Sequence, residues 1–196
     1  MYRQSIIYAR EGVALERSLL ASWVGTASAL LRSLGEALRC HVFACAKLHA
    51  DDTPLPVLAP GNGKMRTARL WTYVRDDRAS GTIEPPAVWF AYSPDRKGEH
   101  PQAHLANFTG VLQADAYAGF NAIYDSGRVA EAAYWAHARR KFYDLHVARL
   151  STLIGEALRR IGELYAIEEV IRGKPPDVRL AERQARAKPL LDDLEH

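Results

Sequence analysis

The middle of the chain carries a series of short β-rich runs separated by turn signals, and this pattern restricts the fold more than any other feature. Residues 47–58 and 69–75 are rich in β-forming side chains, and the turn-prone residues 60–63 lie between them. Such an arrangement predicts an antiparallel hairpin. Residues 87–92 supply a third run after the turn at 81–86. The three runs together predict an antiparallel meander.

The pattern then changes to an alternation of short strands and short helices. Residues 101–108 and 117–124 have a helical pattern, whereas residues 110–115 and 129–135 read as strands. A strand, helix, strand order implies parallel pairing. The chain is therefore predicted to be an α/β protein (an α+β mixed sheet) with a ribonuclease-H-like core. In that fold the first and fourth strands are neighbours in the centre of the sheet.

A helical region of residues 1–45 precedes the predicted core of residues 46–146. A short helix over residues 2–11 is joined through Gly12 to a long amphipathic helix, which Ser18 is predicted to cap and which continues to Val42. We expect a helical hairpin here. A helix-turn-helix is less favoured, because it needs a third element before the first residue.

A second helical region follows the core over residues 147–196. Its pattern begins at Ala136, and Gly173-Lys174-Pro175-Pro176 interrupts it. Asp177 is then predicted to cap a final helix that continues to the last residues. A chain that stops within a helical pattern is expected to be part of a longer protein.

Composition and charge exclude several classes of protein. Hydrophobic residues make up 48% of the 196 and charged residues 25%, which excludes a disordered or collagen-like chain. The net charge of +3 permits a polyanionic partner without requiring one. No apolar run is long enough for a membrane span or a secretory signal, so we expect a cytoplasmic protein without membrane contact. Cys40 and Cys45 lack zinc-ligand spacing and are expected to be free thiols.

Two acidic residues in or at the ends of predicted strands are the first candidates for chemistry. Asp51 follows Leu48-His49-Ala50, and Asp115 follows residues 111–114. If the first and fourth strands are neighbours, the two carboxylates meet. Two such groups about 4 Å apart repel by roughly 4 kcal/mol at an effective dielectric constant of 20, so they must share a proton or bind a cation. Mg²⁺ or Mn²⁺ suits oxygen ligands. The alternative is that each Asp only caps a turn.

Five segments are more specific than the pattern of strands and helices. They are Leu48-His49-Ala50-Asp51-Asp52-Thr53-Pro54, residues 69–77, residues 92–101, residues 112–120 and Trp135-Ala136-His137-Ala138-Arg139-Arg140-Lys141-Phe142. In order and spacing they resemble the catalytic region of insertion sequence 66 family transposases, and the resemblance extends over essentially the whole chain.

The resemblance implies an enzyme that cuts and joins DNA with an Asp-Asp-Glu triad on a ribonuclease-H-like fold, using Mg²⁺ or Mn²⁺. Asp51 matches the first acid and Asp115 the second. The third acid, in a segment of the Asn-Asn-x-x-Glu-Arg type after a helical insertion, has no match in this chain. We therefore expect a transposase fragment that is inactive by itself. Tyr134 stands where the family often has Cys.

Two other functions stay open at this point. The chain is a stand-alone ribonuclease-H-like nuclease if Glu131 or Asp144 serves as the third acid. It is a non-catalytic remnant if it only binds DNA or forms dimers with itself or with an intact transposase. For the first of these functions, Glu131 and Asp144 are more simply explained as solvated residues.

A basic run at the start of the last helical region is the candidate DNA contact. Arg139, Arg140 and Lys141 are adjacent, and such side chains bind phosphates without reading sequence. The partner implied is the DNA at the ends of an insertion sequence. The alternative is a solvated helix face, since three adjacent residues cannot all point one way. A weaker basic candidate lies near the hairpin turn, at Lys64, Arg66 and Arg69.

Overall fold

The computed structural model describes residues 1–59, 61 and 63–194. The chain divides into two compact units, Met1–His41 and Val42–His196. The first unit is helical, with α1 over Tyr2–Arg10 and α2 over Arg17–Leu30. Helix α3 spans Arg32–Phe43. None of the residues of α1 and α2 is buried.

The prediction of one long helix in this region is wrong. Helix α2 ends at Leu30. Leu31 adopts φ −80° and ψ −3°, and this ψ is far from the value of about −42° that continues an α-helix. The predicted cap at Ser18 is also wrong. Glu16, with an extended backbone, occupies the N-cap position, and its side chain makes no capping hydrogen bond.

The second unit contains one five-stranded sheet. The strands are β1 (Lys47–Leu58), β2 (Met65–Arg75), β3 (Ala87–Ser93), β4 (Gly110–Gln113) and β5 (Val129–Ala132). Their order across the sheet is β3-β2-β1-β4-β5. The first three strands pair antiparallel, and β4 pairs parallel with both β1 and β5. The predicted mixed sheet, with the first and fourth strands as neighbours, is confirmed.

Short helical elements connect the strands from β2 to β5. A 3₁₀ turn over Arg78–Ser80 follows β2, and α4 (Glu99–His104) follows β3. A second 3₁₀ turn, Ala118–Phe120, runs into α5 (Asn121–Asp125) between β4 and β5. Helix α4 ends earlier than the predicted helix over residues 101–108, because Leu105 at φ −97° and ψ 11° leaves the helical geometry. The helical residues 118–125 agree with the predicted helix over 117–124, except that they begin with a 3₁₀ turn.

The C-terminal part is helical but interrupted more often than predicted. Its elements are α6 (Trp135–Ala148), α7 (Thr152–Ile171), α8 (Pro176–Glu182), a π-helical turn (Arg183–Ala187) and α9 (Lys188–Leu194). Asp177 is not the cap of α8. Pro175 is the N-cap residue and Pro176 begins the helix, a position where its fixed φ and missing N–H cost nothing.

The core lies on one face of the sheet. Leu48, Trp71, Tyr73 and Leu112 on the strands are completely buried there, and Phe120 packs with them. The indole N–H of Trp71 donates to Ser93 Oγ at 2.8 Å, so the largest buried side chain has its polar atom satisfied. This packing fixes the central strands β1 and β2.

The start of β4 is held tightly against the segment before β1. Gly110 has φ +133°, and a Cβ atom at this position would lie 2.4 Å from the carbonyl oxygen of Ala46. The N–H of Val111 donates to that same oxygen at 2.8 Å. Only glycine permits this approach, and the approach sets the register of β4 on β1.

Two further sequence predictions concern turns and membranes. In the predicted hairpin turn, Pro60 and Asn62 lie outside the described residues, whereas Gly61 and Gly63 both have positive φ, as tight turns require. Among the described residues, no helix combines the length and the apolar character that a membrane crossing needs.

Candidate active site

The side chains of Asp51 and Asp52 leave β1 on opposite faces. Successive residues of a strand alternate between faces, and the buried Leu48 and Ala50 place Asp52 on the core side. Asp51 shares the other face with His49 and is exposed. The Asp52 side chain is only 1% exposed. The two adjacent acids therefore have different environments.

The parallel pairing of β1 with β4 places Asp51 and Asp115 at matching positions, just beyond the point where this pairing ends. The last paired residues are His49 and Gln113, and each Asp lies two residues further along its own chain segment. Carboxyl ends of parallel strands are the usual place for a ligand site in α/β sheets. The sequence prediction that the two predicted acids come from neighbouring strands agrees with this register.

A single tyrosine is close to both acids. Burial raises the pKa of Tyr134, and the negative charges of Asp51 and Asp115 raise it further. The Tyr134 hydroxyl also lies 3.3 Å from His49 Nδ1, within hydrogen-bond distance. Burial, followed by the nearby Lys47, lowers the pKa of His49, which favours the neutral imidazole. Tyr134 thus links the face of Asp51 to the segment that begins α6.

Asp52 is the centre of an ion-pair cluster that the sequence pattern did not reveal. Its Oδ1 accepts from Arg96 Nη2 at 2.6 Å and from Arg96 Nε at 2.9 Å. Its Oδ2 accepts from Arg69 Nη1 at 3.0 Å. The single negative charge of the buried Asp52 carboxylate therefore partly neutralises the positive charges of Arg69 and Arg96.

Arg96 also connects this cluster to the second predicted acid. Its Nη2 lies 3.3 Å from Asp115 Oδ2. Its guanidinium carbon is 4.2 Å from the centre of the Tyr117 ring, a cation–π contact, and the Tyr117 hydroxyl donates to the main-chain carbonyl of Arg96. Arg96 is thus fixed beside Asp115 by contacts on three sides.

The sequence contained Arg96 in a segment that resembles the family, but it did not predict the contact of Arg96 with Asp52. Arg96 belongs to the segment Ser93-Pro94-Asp95-Arg96-Lys97-Gly98, which carried part of the family resemblance. Forty-four residues separate Arg96 from Asp52. Strand periodicity places Asp52 on the core face, but it cannot identify which cation compensates a buried carboxylate.

The predicted basic run lies in the first half of α6. Arg139, Arg140 and Lys141 are all exposed, and none of them forms an ion pair within the part of the chain that the structure describes. Lys141 also lines a cavity of about 280 Å³ with Tyr134, His137 and other mostly apolar side chains. The run therefore adjoins the residue that is close to Asp51 and Asp115. In the weaker basic candidate, Arg66 donates to the Tyr92 hydroxyl at 3.3 Å.

The two alternative third acids are placed differently from Asp51. Glu131 pairs with Leu112, whose side chain is in the core, whereas Gln113 on the next position pairs with Ala132. Alternation therefore puts Glu131 on the face opposite to His49 and Asp51. Asp144 is exposed in the middle of α6.

One group of side chains offers metal-ligating atoms close together. Atoms of Asp95, Glu99 and His100 lie within 4.8 Å of one another. His100 Nε2 is 2.7 Å from Asp95 Oδ1, and Lys97 Nζ lies 3.6 Å from Asp95 Oδ2. The pKa of Asp95 is lowered, chiefly by its hydrogen bond with His100. These mutual contacts already account for the arrangement. Cys40 and Cys45 are free thiols, as expected.

A five-stranded mixed sheet with helices defines an α/β protein. The chain belongs to the IS66 family of transposases, because the family model described as "Transposase IS66 family" matches residues 1–196. The family prediction from the sequence is confirmed.

Two similar proteins come from Sinorhizobium fredii (strain NBRC 101917 / NGR234). The uncharacterized protein y4hP is 42% identical over 98% of this chain and 37% of its own length. The uncharacterized protein y4qI is 36% identical over 99% of this chain, again covering 37% of the relative. This chain therefore spans well under half the length of the curated relatives that it matches.

Proposed function

We propose that this chain supplies the first two acids of a metal-dependent site for DNA cleavage and strand transfer, with Asp51 as the first and Asp115 as the second. The observation that carries the proposal is the parallel pairing of β1 with β4, because each residue lies two positions beyond the last pair, His49 and Gln113. The effect of both charges on Tyr134 supports their closeness. Membership of a transposase family supports DNA as the substrate.

The proposal includes a ribonuclease-H-like core over residues 46–146, between an N-terminal helical region of residues 1–45 and a helical insertion over 147–196. The strand order β3-β2-β1-β4-β5, with three antiparallel strands and two parallel ones, supports this core. The run of helices from α6 to α9 is compatible with the insertion.

Asp51 and Asp115 are the residues that would hold Mg²⁺ or Mn²⁺. Their chemistry fits, because both supply carboxylate oxygens, both reach solvent, and hard divalent cations prefer oxygen ligands. A bound ion of this kind activates a water molecule or a 3′ hydroxyl and stabilises the leaving oxygen. The chain itself carries the two carboxylates just beyond the parallel pairing of β1 with β4, and it keeps Arg96 beside Asp115.

The third acid is proposed to lie in a region outside this chain, and the chain alone is proposed to be inactive. The placement of Glu131 on the opposite face supports this over the stand-alone nuclease. Arg139, Arg140 and Lys141 are proposed to contact DNA phosphates, since they are exposed and adjoin the candidate site. An intact transposase or a second copy is the proposed protein partner.

Metal binding tests the core of this proposal without requiring activity. Mn²⁺ titrated into the purified chain and followed by electron paramagnetic resonance should show one site that Asp51→Asn and Asp115→Asn each weaken about 10-fold or more, since each removes an anionic ligand. Asp125→Asn, an exposed acid on α5, is the matched control and should leave binding unchanged. Equal Mn²⁺ affinity in all four proteins would remove the metal site from these residues.

A further inference from the structure

The guanidinium group of Arg96 is held from behind by a buried acid. Asp52, with a side chain only 1% exposed, accepts from both Nε and Nη2 of Arg96 through one oxygen. The Arg96 side chain itself is 38% exposed. Its inner edge is therefore neutralised within the protein, and its outer part reaches solvent next to Asp115.

The loop that carries Arg96 is fixed by the loop after β4. The Tyr117 ring lies under the guanidinium, and the Tyr117 hydroxyl binds the Arg96 carbonyl. At Gly98, a Cβ atom would come within 3.0 Å of the backbone of Gly119. Because the two loops approach so closely, Arg96 loses little conformational freedom when it binds a ligand.

The guanidinium group of Arg96 keeps hydrogen-bond donors that no group among the described residues uses. Nε and Nη2 contact Asp52 and Asp115, whereas Nη1 donates to no group among the described residues. A guanidinium has five N–H donors in a planar fork, a geometry that suits phosphate oxygens. A cation in this position also offsets the repulsion between Asp115 and an approaching phosphate.

We propose that Arg96 is a phosphate-binding residue of the candidate site, which contacts a phosphate of the DNA backbone beside Asp115. Asp52 is the positioning residue that holds the guanidinium in place. This inference rests on the proposed function for the identity of the ligand, a DNA phosphodiester. Arg96 would contact a phosphate at the site itself, in addition to the sequence-independent phosphate contacts proposed for α6.

The test is equilibrium binding of a fluorescently labelled, nicked DNA duplex, measured by anisotropy at several salt concentrations in the presence of Mn²⁺. Arg96→Gln should weaken binding about 10-fold, the value of one charged hydrogen bond. It should also make the log–log salt slope shallower by about 0.9, which is the loss of one phosphate contact. Arg172→Gln removes the same charge from an exposed arginine after α7 and should change both quantities much less.

A chemical double-mutant cycle locates the contact. A single uncharged methylphosphonate is placed at successive positions around the nick. At one position it should weaken binding of the wild-type chain but not of Arg96→Gln, because the partner is already missing. If no position behaves in this way, or if Arg96→Gln and Arg172→Gln weaken binding equally, the proposal is wrong.

Two further measurements separate this inference from a folding defect and from the proposed function. If Arg96→Gln lacks the near-ultraviolet circular dichroism of the wild type, Arg96→Lys replaces it, since Lys still pairs with Asp52 but loses the fork. The methylphosphonate scan is then repeated with Arg96→Lys, and a loss of affinity equal to that of the wild type at every position would overturn the proposal. The Mn²⁺ titration judges the metal site independently. Tighter Mn²⁺ binding by Arg96→Gln with unchanged DNA affinity would assign Arg96 to the neutralisation of Asp115 alone.

Discussion

Asp51 and Asp52 are neighbours in the sequence, but strand geometry gives them opposite tasks. Asp51 is exposed on the face of His49, and its Oδ1 accepts the N–H of Asp52 at 2.8 Å. Asp52 is buried between Arg69 and Arg96. At the scale of single residues, one acid is available to a ligand and the other stabilises the native structure.

Replacement of Asp52 should therefore reduce stability far more than replacement of Asp51. Asp52→Asn removes the counter-charge of Arg69 and one of the two carboxylate partners of Arg96. We expect a loss of about 2 to 3 kcal/mol, less than for a fully buried pair because both arginines reach solvent. Asp51→Asn should cost less than about 0.5 kcal/mol. Urea denaturation of the two variants gives both values, and equal losses would contradict the assignment of faces.

Tyr124 allows a second prediction at this scale. Its hydroxyl is buried and has no hydrogen-bond partner among the described residues, so Tyr124→Phe should stabilise the protein by about 1 kcal/mol at neutral pH. Burial, followed by the charges of Glu131 and Asp115, raises the pKa of Tyr124 to about 12.

The raised pKa adds a pH signature to the Tyr124 prediction. Between pH 10, where the unfolded tyrosine ionises, and pH 12, the unfolded state releases this proton and the folded state keeps it, so stability falls as pH rises. Tyr124→Phe should show a smaller fall over this range in urea denaturation. An identical pH profile for both proteins would mean that the hydroxyl is solvated.

The candidate site shows what a sequence can and cannot predict about single residues. The placement of Asp51 and Asp115 on neighbouring segments was predictable, because Asp51 lies in the first β-rich run, Asp115 follows the fourth, and the strand order makes those runs neighbours. The contact of Arg96 with Asp52 was not predictable. It depends on the conformation of the loop after β3, for which periodicity carries no information.

At the scale of elements, the strands were predicted better than the helices. The bounds of β1 and the start of β3 agree with the sequence pattern, since residues with β preference stop at clear turn signals. The helix breaks at Leu31 and at residues 149–151 involve no Pro or Gly. The π-helical turn at Arg183–Ala187 lies just before Pro189, which has no N–H to bond back to residue 185.

Helix α6 carries the prediction that belongs to this scale. If Arg139, Arg140 and Lys141 together neutralise three phosphates, the log–log salt slope on duplex DNA should be about −2.7, or roughly a 40-fold weakening between 50 and 200 mM salt. Replacement of all three by Ala should remove most of this slope. The control is Arg149, Arg172 and Lys174 replaced together, three exposed cations outside α6. A slope that only the control flattens would place the DNA surface elsewhere.

At the scale of the whole molecule, the proposed site has two acids, Asp51 and Asp115, whereas the proposed Asp-Asp-Glu chemistry requires three. Both lie just beyond the parallel pairing of β1 with β4, and Glu131 lies on the face opposite to Asp51. The chain covers 37 to 39% of the length of three curated relatives. A site with two carboxylates can bind one cation but leaves a second under-liganded, so the clamp on attacking and leaving oxygens is incomplete.

The purified chain should therefore neither cut nor join DNA, even where the proposed binding of Mn²⁺ is observed. The assay incubates nicked or supercoiled plasmid with the protein and Mg²⁺ or Mn²⁺, and Asp51→Asn and Asp115→Asn serve as controls for contaminating nuclease. Fusion of the downstream region of y4hP should restore cleavage, and each Asp→Asn change in the fusion should abolish it. Cleavage by the isolated chain that both variants lack would contradict this prediction. Glu131→Gln and Asp144→Asn would then identify the third acid, because only the true ligand should remove that activity.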